Sequence, residues 1–261
     1  MRVIIKDNYE EMSKAAAQLV KNRILNKNNL ILGLATGSSP IGLYKELIKM
    51  CEKKEISFKK MKTFNLDEYY ELNPDHPQSY RYFMNINLFD YIDINKKETY
   101  VPDGLAKDVD KFCSDYEKKI KSEDGIDLQV IGIGGDGHIG FNEPGTSLAS
   151  RTHLVILDEQ TIKDNARFFN SIDEVPKSAI TMGVGTVLDT KEILLVANGI
   201  KKAKIVAQAL EGPITSMVTC SAIQLHPKVT VFLDKEAASE LKRLSYYNFV
   251  EKQLANMNIS L

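Results

Sequence analysis

Short apolar runs alternate with amphipathic stretches along most of the chain. RVIIK at 2–6, LILGLA at 30–35, MKTFNL at 61–66 and DLQVIGI at 127–133 read as strands. HLVIL at 153–157, EILLVA at 192–197 and KVTVFL at 228–233 continue the series. The intervening segments carry the 3.6-residue period of helices. Over 8–24, Met12, Ala15, Ala16, Leu19 and Val20 share one face. Further helices are expected over 41–54, where Pro40 suits the first position, and over 78–92, 109–120, 158–169, 200–211 and 235–250. Such alternation predicts an α/β fold: a doubly wound, mainly parallel central sheet with helices on both faces, Rossmann-like. No linker or low-complexity stretch divides the chain, so one domain over 1–261 is expected. In such sheets ligands sit beyond the carboxyl ends of the strands. The loops at 35–40, 67–77, 134–150 and 198–202 all follow strands and can converge on one crevice.

Composition excludes several classes. With 43% hydrophobic and 26% charged residues, the chain is globular in type and long enough to bury a core without disulfides or a structural metal. Lys+Arg (34) balance Asp+Glu (35), and short lysine pairs form no basic face, so no nucleic-acid partner is expected. An anionic small molecule remains open, because it needs only a few placed cations. Cys51, Cys113 and Cys220 are far apart and show no zinc or C-x-x-C spacing. The amino-terminal MRVIIKDNYEE turns charged within six residues, unlike a signal peptide. No apolar run approaches the ~20 residues that span a bilayer. A cytoplasmic protein with no membrane partner is expected.

Four loops carry candidate chemistry. Thr36, Gly37, Ser38 and Ser39 lie between a strand and a helix start, where hydroxyls and free N–H groups suit an anion such as phosphate. A plain turn whose serine caps the helix fits the same letters. Asp67 and Glu68 end a strand, so their side chains are expected to face the crevice; surface acids are the alternative. Asp136, His138 and Glu143 crowd among glycines within eight residues. A carboxylate beside a histidine fixes its tautomer and raises its basicity, which suits proton transfer. A metal site with one histidine and two acids is the rival, weakened by the lack of a second histidine nearby. Lys201 and Lys202 sit in the first helical turn after a strand, an unfavourable place for cations unless an anion binds there.

Gly132, Gly134 and Gly137 also spell G-x-G-x-x-G, with Asp158 about 20 residues beyond the last glycine where a dinucleotide's ribose would need an acid. That turn must open a helix. Here HIGFNEPGTSLAS follows, and Gly140, Pro144 and Gly145 break helical periodicity. The dinucleotide reading is therefore set aside.

Taken together, TGSSPIGLY, FNLDEYYEL, HPQSY, GIGGDGHIGFNEPG, SLASRTH, RFF, ITMGVGTVLD and QLHPK make the chain resemble the glucosamine-6-phosphate deaminase family, in order and over nearly its whole length. The TGSSP loop is shared with sugar-phosphate relatives that include 6-phosphogluconolactonases. The resemblance implies an α/β enzyme that converts glucosamine 6-phosphate and water into fructose 6-phosphate and ammonia without metal or organic cofactor. It implies Asp67 as the base between C2 and C1 of the open-chain sugar. His138 would open the ring, oriented by Asp136 and Glu143. Thr36, Gly37, Ser38, Ser39, Arg167 and Lys202 would bind the phosphate. It also implies a mobile lid near 157–177.

Allosteric members of the family bind N-acetylglucosamine 6-phosphate at a subunit interface, through basic and hydroxyl residues just after SLASRT. Here His153, Leu154, Val155 and Ile156 stand there, and two apolar residues take the places where a basic residue and a threonine are expected. Weak or absent activation is therefore expected, and the choice between monomer and homo-oligomer stays open. The alternatives are a 6-phosphogluconolactonase, which needs no aldose–ketose base, and a sugar-phosphate sensor, for which the acid–base set would be superfluous.

Overall fold

Local chemistry sets the first element boundaries. In a computed structural model, which describes residues 1–257 and 259, Asn8 accepts the Glu11 N–H and caps helix α1 (Tyr9–Asn26). Helix α1 follows strand β1 (Arg2–Lys6) and buries Met12, Ala16, Leu19 and Val20, as the periodicity predicts, while Ala15 stays half-buried at the edge of that face. Then come β2 (Ile31–Leu34), α2 (Ile41–Glu52), β3 (Lys62–Asn65), β4 (Asp67–Tyr69), α3 (Tyr80–Asn87), β5 (Thr99–Tyr100), α4 (Val109–Ser122) and β6 (Leu128–Ile131). The second half holds β7 (His153–Ile156), α5 (Glu159–Asn165), β8 (Ser178–Thr181), α6 (Val184–Leu188), β9 (Ile193–Ala197), α7 (Ala203–Glu211), β10 (Val229–Asp234) and α8 (Leu244–Asn256).

Seven strands form the central sheet in the order β1-β10-β9-β6-β2-β3-β5, every pair parallel. Alternation divides its side chains between two cores. Leu32, Leu34, Leu128 and Val130 pack with α1, α2 and α3 on one face. Phe64, Ile131 and Leu195 pack with Tyr116 of α4, Val206 and Ala209 of α7 and Tyr247 of α8 on the other. The expected doubly wound α/β architecture is the one observed. After β2 the chain winds outward through β3 and β5; after β6 it winds the other way through β9 and β10. A crevice opens where strand order reverses, between the carboxyl ends of β2 and β6.

A second, antiparallel sheet, β4-β8-β7, caps that end. HLVIL therefore does not extend the parallel series. It is the outer strand of this small sheet, paired with β8, and leaves Leu154 and Ile156 exposed. An all-apolar run looks buried on both faces, but only the partner strand decides whether it is. The helix expected over 235–250 begins at Leu244 instead. Residues 235–243 form turns that bury Ala237 and Ala238, with Asp234 accepting the Ala237 N–H at 2.8 Å. The helix expected over 78–92 ends at Asn87, followed by a single 3₁₀ turn at Phe89–Tyr91. The one expected over 158–169 ends at Asn165, with a 3₁₀ turn at Ala166–Phe168.

Candidate active site

A cleft of about 360 Å³ lies over the switch point. It is bounded by Thr36, Gly37, Ser38 and Ser39 after β2, Asp67 at the head of β4, Gly132 to Gly135 and His138 after β6, and Lys202 after β9. Arg167, from the turn after α5, completes its rim. The four loops read from sequence thus converge. Asp136 and Glu143 stand one layer back, against His138.

Asp67 sits where the chain leaves one sheet and joins the other. The Leu66 N–H still bonds the β2 carbonyl of Leu34, while the Leu66 carbonyl already accepts from Met182 beside β8. Asp67 is 5% exposed. Burial, and next the charge of Glu68, push its carboxyl up to about 7, against the opposing influence of His138. Gly140, with φ +59°, passes close by: a Cβ there would lie 3.1 Å from Asp67 Oδ2 and 2.8 Å from Thr181 Oγ1. Glycine is thus required both by the left-handed backbone and by the close approach. Glu68 does not face the crevice, contrary to expectation. Successive strand residues point to opposite sides, and Glu68 turns to the start of α3.

His138 Nδ1 lies 2.7 Å from Asp136 Oδ1 and 3.4 Å from Glu143 Oε2. Hydrogen bonding and charge from both acids act on the imidazole. Burial opposes the imidazolium, but the two carboxylates outweigh it and raise His138 to about 9. Asp136 falls to about 2: burial works against its charge, and His138 more than compensates. Glu143 Oε1 accepts the Asp158 N–H at 3.2 Å, anchoring the loop to the segment that enters α5. The imidazole rests against Gly134, where a Cβ would lie 2.3 Å from ring Cδ2 and Nε2. The glycine of the motif is therefore the backstop of the histidine. Asp158 caps α5 by accepting the Gln160 N–H at 2.7 Å, and turns rather than a helix join Gly137 to β7.

The other end of the cleft gathers hydroxyls, main-chain donors and a lysine, groups whose chemistry suits an anion. Helix α2 begins at Ile41 with no side-chain cap, so its amino-terminal dipole and the Thr36–Ser39 loop face the cleft together. Ser39 Oγ donates to Asn198 Oδ1 at 2.9 Å, joining this loop to the one after β9. Lys202 ends a 3₁₀ turn that precedes α7. Its Nζ donates to the Ile133 carbonyl at 2.7 Å, and burial pulls its proton affinity down although Asp136 and Asp164 oppose this.

Asp164, Tyr80 and Phe169 also line the cleft, and sequence reasoning missed all three. Tyr80 stacks on Phe141 at 5.8 Å, and Phe169 meets Tyr69 edge-on at 6.0 Å. Ser79, which caps α3 by accepting from Tyr82 N at 3.0 Å, was the available signal for Tyr80; Asp164 had none. One donor atom each from Asp136, His138 and Glu143 lies within 4.8 Å of the others, so the three can also hold a divalent ion. Such an ion would have to displace the proton that the same carboxylates hold on His138.

The sequence pattern of glucosamine-6-phosphate isomerases/6-phosphogluconolactonase matches residues 6–232. The chain belongs to that family. A glucosamine-6-phosphate deaminase of Thermoanaerobacter pseudethanolicus is 52% identical over 239 residues, 92% of this chain and 94% of the relative. One of Clostridium perfringens is 50% identical over 242 residues, 93% of this chain and all of its own. A solved monomeric glucosamine-6-phosphate deaminase superposes with a TM-score of 0.90 at 47% identity, over 92% of this chain and 100% of that one. The 6-phosphogluconolactonase of Trypanosoma brucei has a TM-score of 0.72 at 19% identity, over 92% of this chain and 98% of its own. This last likeness establishes the fold common to the two branches of the family. Among the described residues no helix is long and apolar enough to cross a membrane.

Proposed function

We propose that this chain is a glucosamine-6-phosphate deaminase that converts glucosamine 6-phosphate and water into fructose 6-phosphate and ammonia. One observation carries the reading: two acid–base groups with opposite resting states share the cleft. Asp67 is a buried carboxylate whose proton affinity suits a base near neutrality, and His138 is an imidazolium held by Asp136 and Glu143. The deaminase branch is favoured because its members are about half identical over nearly the whole chain, and because a lactone hydrolase has no need for a base spanning two adjacent carbons.

The chemistry follows from the geometry. The phosphate docks at the α2 amino terminus with Thr36, Gly37, Ser38, Ser39, Lys202 and Arg167, which directs the sugar toward Asp67. His138 gives a proton to the ring oxygen and takes up the C1 hydroxyl proton in return, leaving an open-chain aldehyde. Asp67 removes the C2 proton while His138 protonates the C1 carbonyl oxygen, which forms an enolamine; Asp67 then returns its proton to C1, which leaves an iminium at C2. Water adds there and ammonia leaves, so the ketone oxygen comes from water and no oxidant or reductant is consumed. Ammonia release from purified protein with glucosamine 6-phosphate tests the reading. Release is expected, with a hyperbolic rate curve that N-acetylglucosamine 6-phosphate leaves unchanged, since apolar Val155 and Ile156 stand where an effector would need polar partners. No release, with the substrate still bound, would favour a sensor.

Residues 157–177 act as a lid in this proposal. Two features support it: the exposed Arg167 on a short turn, and Phe169, which reaches across to the rings of Tyr69 and His76. Hydrogen exchange over this segment should slow when a phosphorylated inhibitor binds, and equal protection in both states would refute closure.

A further inference from the structure

The chemistry above gives Glu68 no role, yet it is one of the most completely buried charged side chains, at 1% exposure. No cation lies within salt-bridge distance among the described residues; three main-chain N–H groups hold it instead. Oε1 accepts from Tyr69 at 2.9 Å and Tyr80 at 2.8 Å, and Oε2 accepts from Arg81 at 2.9 Å. Tyr80 and Arg81 open helix α3, so the carboxylate closes donors that a helix leaves unpaired at its start. Ser79 Oγ takes the next one, from Tyr82. The Arg81 guanidinium turns away to the Thr99 hydroxyl and carbonyl, at 2.8 and 2.7 Å. Three donors converging on two oxygens suit the ionised carboxylate, which is an acceptor only.

Two consequences meet at Asp67. Strand β4, which Asp67 begins, is fastened to the helix that brings Tyr80 into the cleft. A second buried acid, negative whenever it is ionised, also stands on the residue next to the base. We propose that Glu68 is the positioning residue for Asp67, locking β4 to α3 and keeping a like charge behind the base so that it takes up a substrate proton readily. The proposal rests on the reading of Asp67 as that base. Burial drives the Glu68 carboxyl up to about 7 while its three N–H bonds and Arg81 oppose the rise, so the two neighbouring acids change charge in the same pH range. The other groups that act on Asp67 are His138 from the loop after β6, which opposes the effect, and the phenols of Tyr69, Tyr80 and Tyr116, which are neutral in the working range.

The test is a carboxyl carbon-13 NMR titration of the full chain labelled at Asp and Glu, with Asp67 assigned by its loss in Asp67→Asn. In Glu68→Gln the Asp67 midpoint should fall from near 7, the direction that loss of a neighbouring like charge gives. The acidic limb of kcat/KM should move with it, while KM stays within about twofold. Glu68→Asp keeps the charge but shortens the reach to α3; it should leave the midpoint in place and lower kcat. Glutamine sets an amide donor against the Arg81 N–H, so Glu68→Gln is also the variant at risk of misfolding. In that event the wild-type curve decides: Asp67 should titrate in two steps, one coinciding with Glu68. An unmoved midpoint in Glu68→Gln, or a single-step Asp67 curve blind to Glu68, would overturn the proposal. The titration needs no turnover, so it separates this proposal from the deaminase reading, which stands or falls on ammonia release.

Discussion

Replacing Asp67 by Asn should stabilise the protein at neutral pH while removing its activity. Burial, and next the Glu68 charge, raise the Asp67 carboxyl from 3.8 to about 7. A carboxyl that holds its proton more tightly in the folded chain stabilises the fold less as pH rises between those two values. Above pH 7 the folded protein carries the full penalty, roughly 4 kcal/mol for about three pH units at 1.36 kcal/mol each. Asparagine removes the charge but leaves a buried amide without arranged partners, which costs about 1–3 kcal/mol. A net gain of about 1–3 kcal/mol at pH 8 remains. The gain should shrink steadily toward pH 4, where Asp67 is protonated in the folded state and no longer burdens it. Urea denaturation of both proteins at pH 4.5, 6 and 8 reads this directly, and ammonia release should fall by about 10³-fold or more with the base gone. A variant less stable than wild type at pH 8, or equally stabilised at every pH, would show that Asp67 is not carried as a strained buried charge.

Three further outcomes follow from the same site. The rate should require Asp67 ionised and His138 protonated, giving a bell-shaped kcat/KM with limbs near 7 and 9; a profile flat across that range would contradict the assignment. In Gly134→Ala the imidazole must retreat by about 1.1 Å to pass from 2.3 Å to the 3.4 Å of an ordinary contact, a displacement that can cost about 100-fold in kcat/KM. A histidine titration still centred near 9 with full activity in that variant would mean that the ring is not held by Gly134. Lys202→Met removes a buried ammonium from the anion end, and KM should rise about 10–100-fold, matching the 1.5–3 kcal/mol of a hydrogen bond to a charged group, with kcat changed little; an unchanged KM would take Lys202 out of phosphate binding.

Much of this architecture is visible in the letters because the signals are local. Alternation of apolar runs with amphipathic segments follows from how strands and helices bury side chains, so the α/β class and the converging loops after β2, β6 and β9 could be read directly. The glycines, acids and histidine of 132–143 also announce chemistry, since crowded titratable groups on an unhelical backbone serve little structural purpose. The helix over 235–250 could not be placed, because the pull of Ala237 and Ala238 into the core, rather than helical periodicity, shapes those residues.

The limits appear wherever a residue's meaning depends on a distant partner. His153 to Ile156 is apolar enough for a central strand, but only the pairing with β8 makes it an edge with Leu154 and Ile156 exposed. Asp67 and Glu68 are adjacent acids of equal promise in sequence; the folded chain sends one into the cleft and the other onto the start of α3. The sequence alone determined which residue types could carry acid–base chemistry and phosphate binding, because side-chain chemistry and local backbone preference are properties of the letters. Tertiary structure alone decided their proton affinities, their resting charge and which of two neighbours faces the cleft. Desolvation and Coulomb interactions depend on distances between segments far apart in the chain, and those distances exist only in the fold.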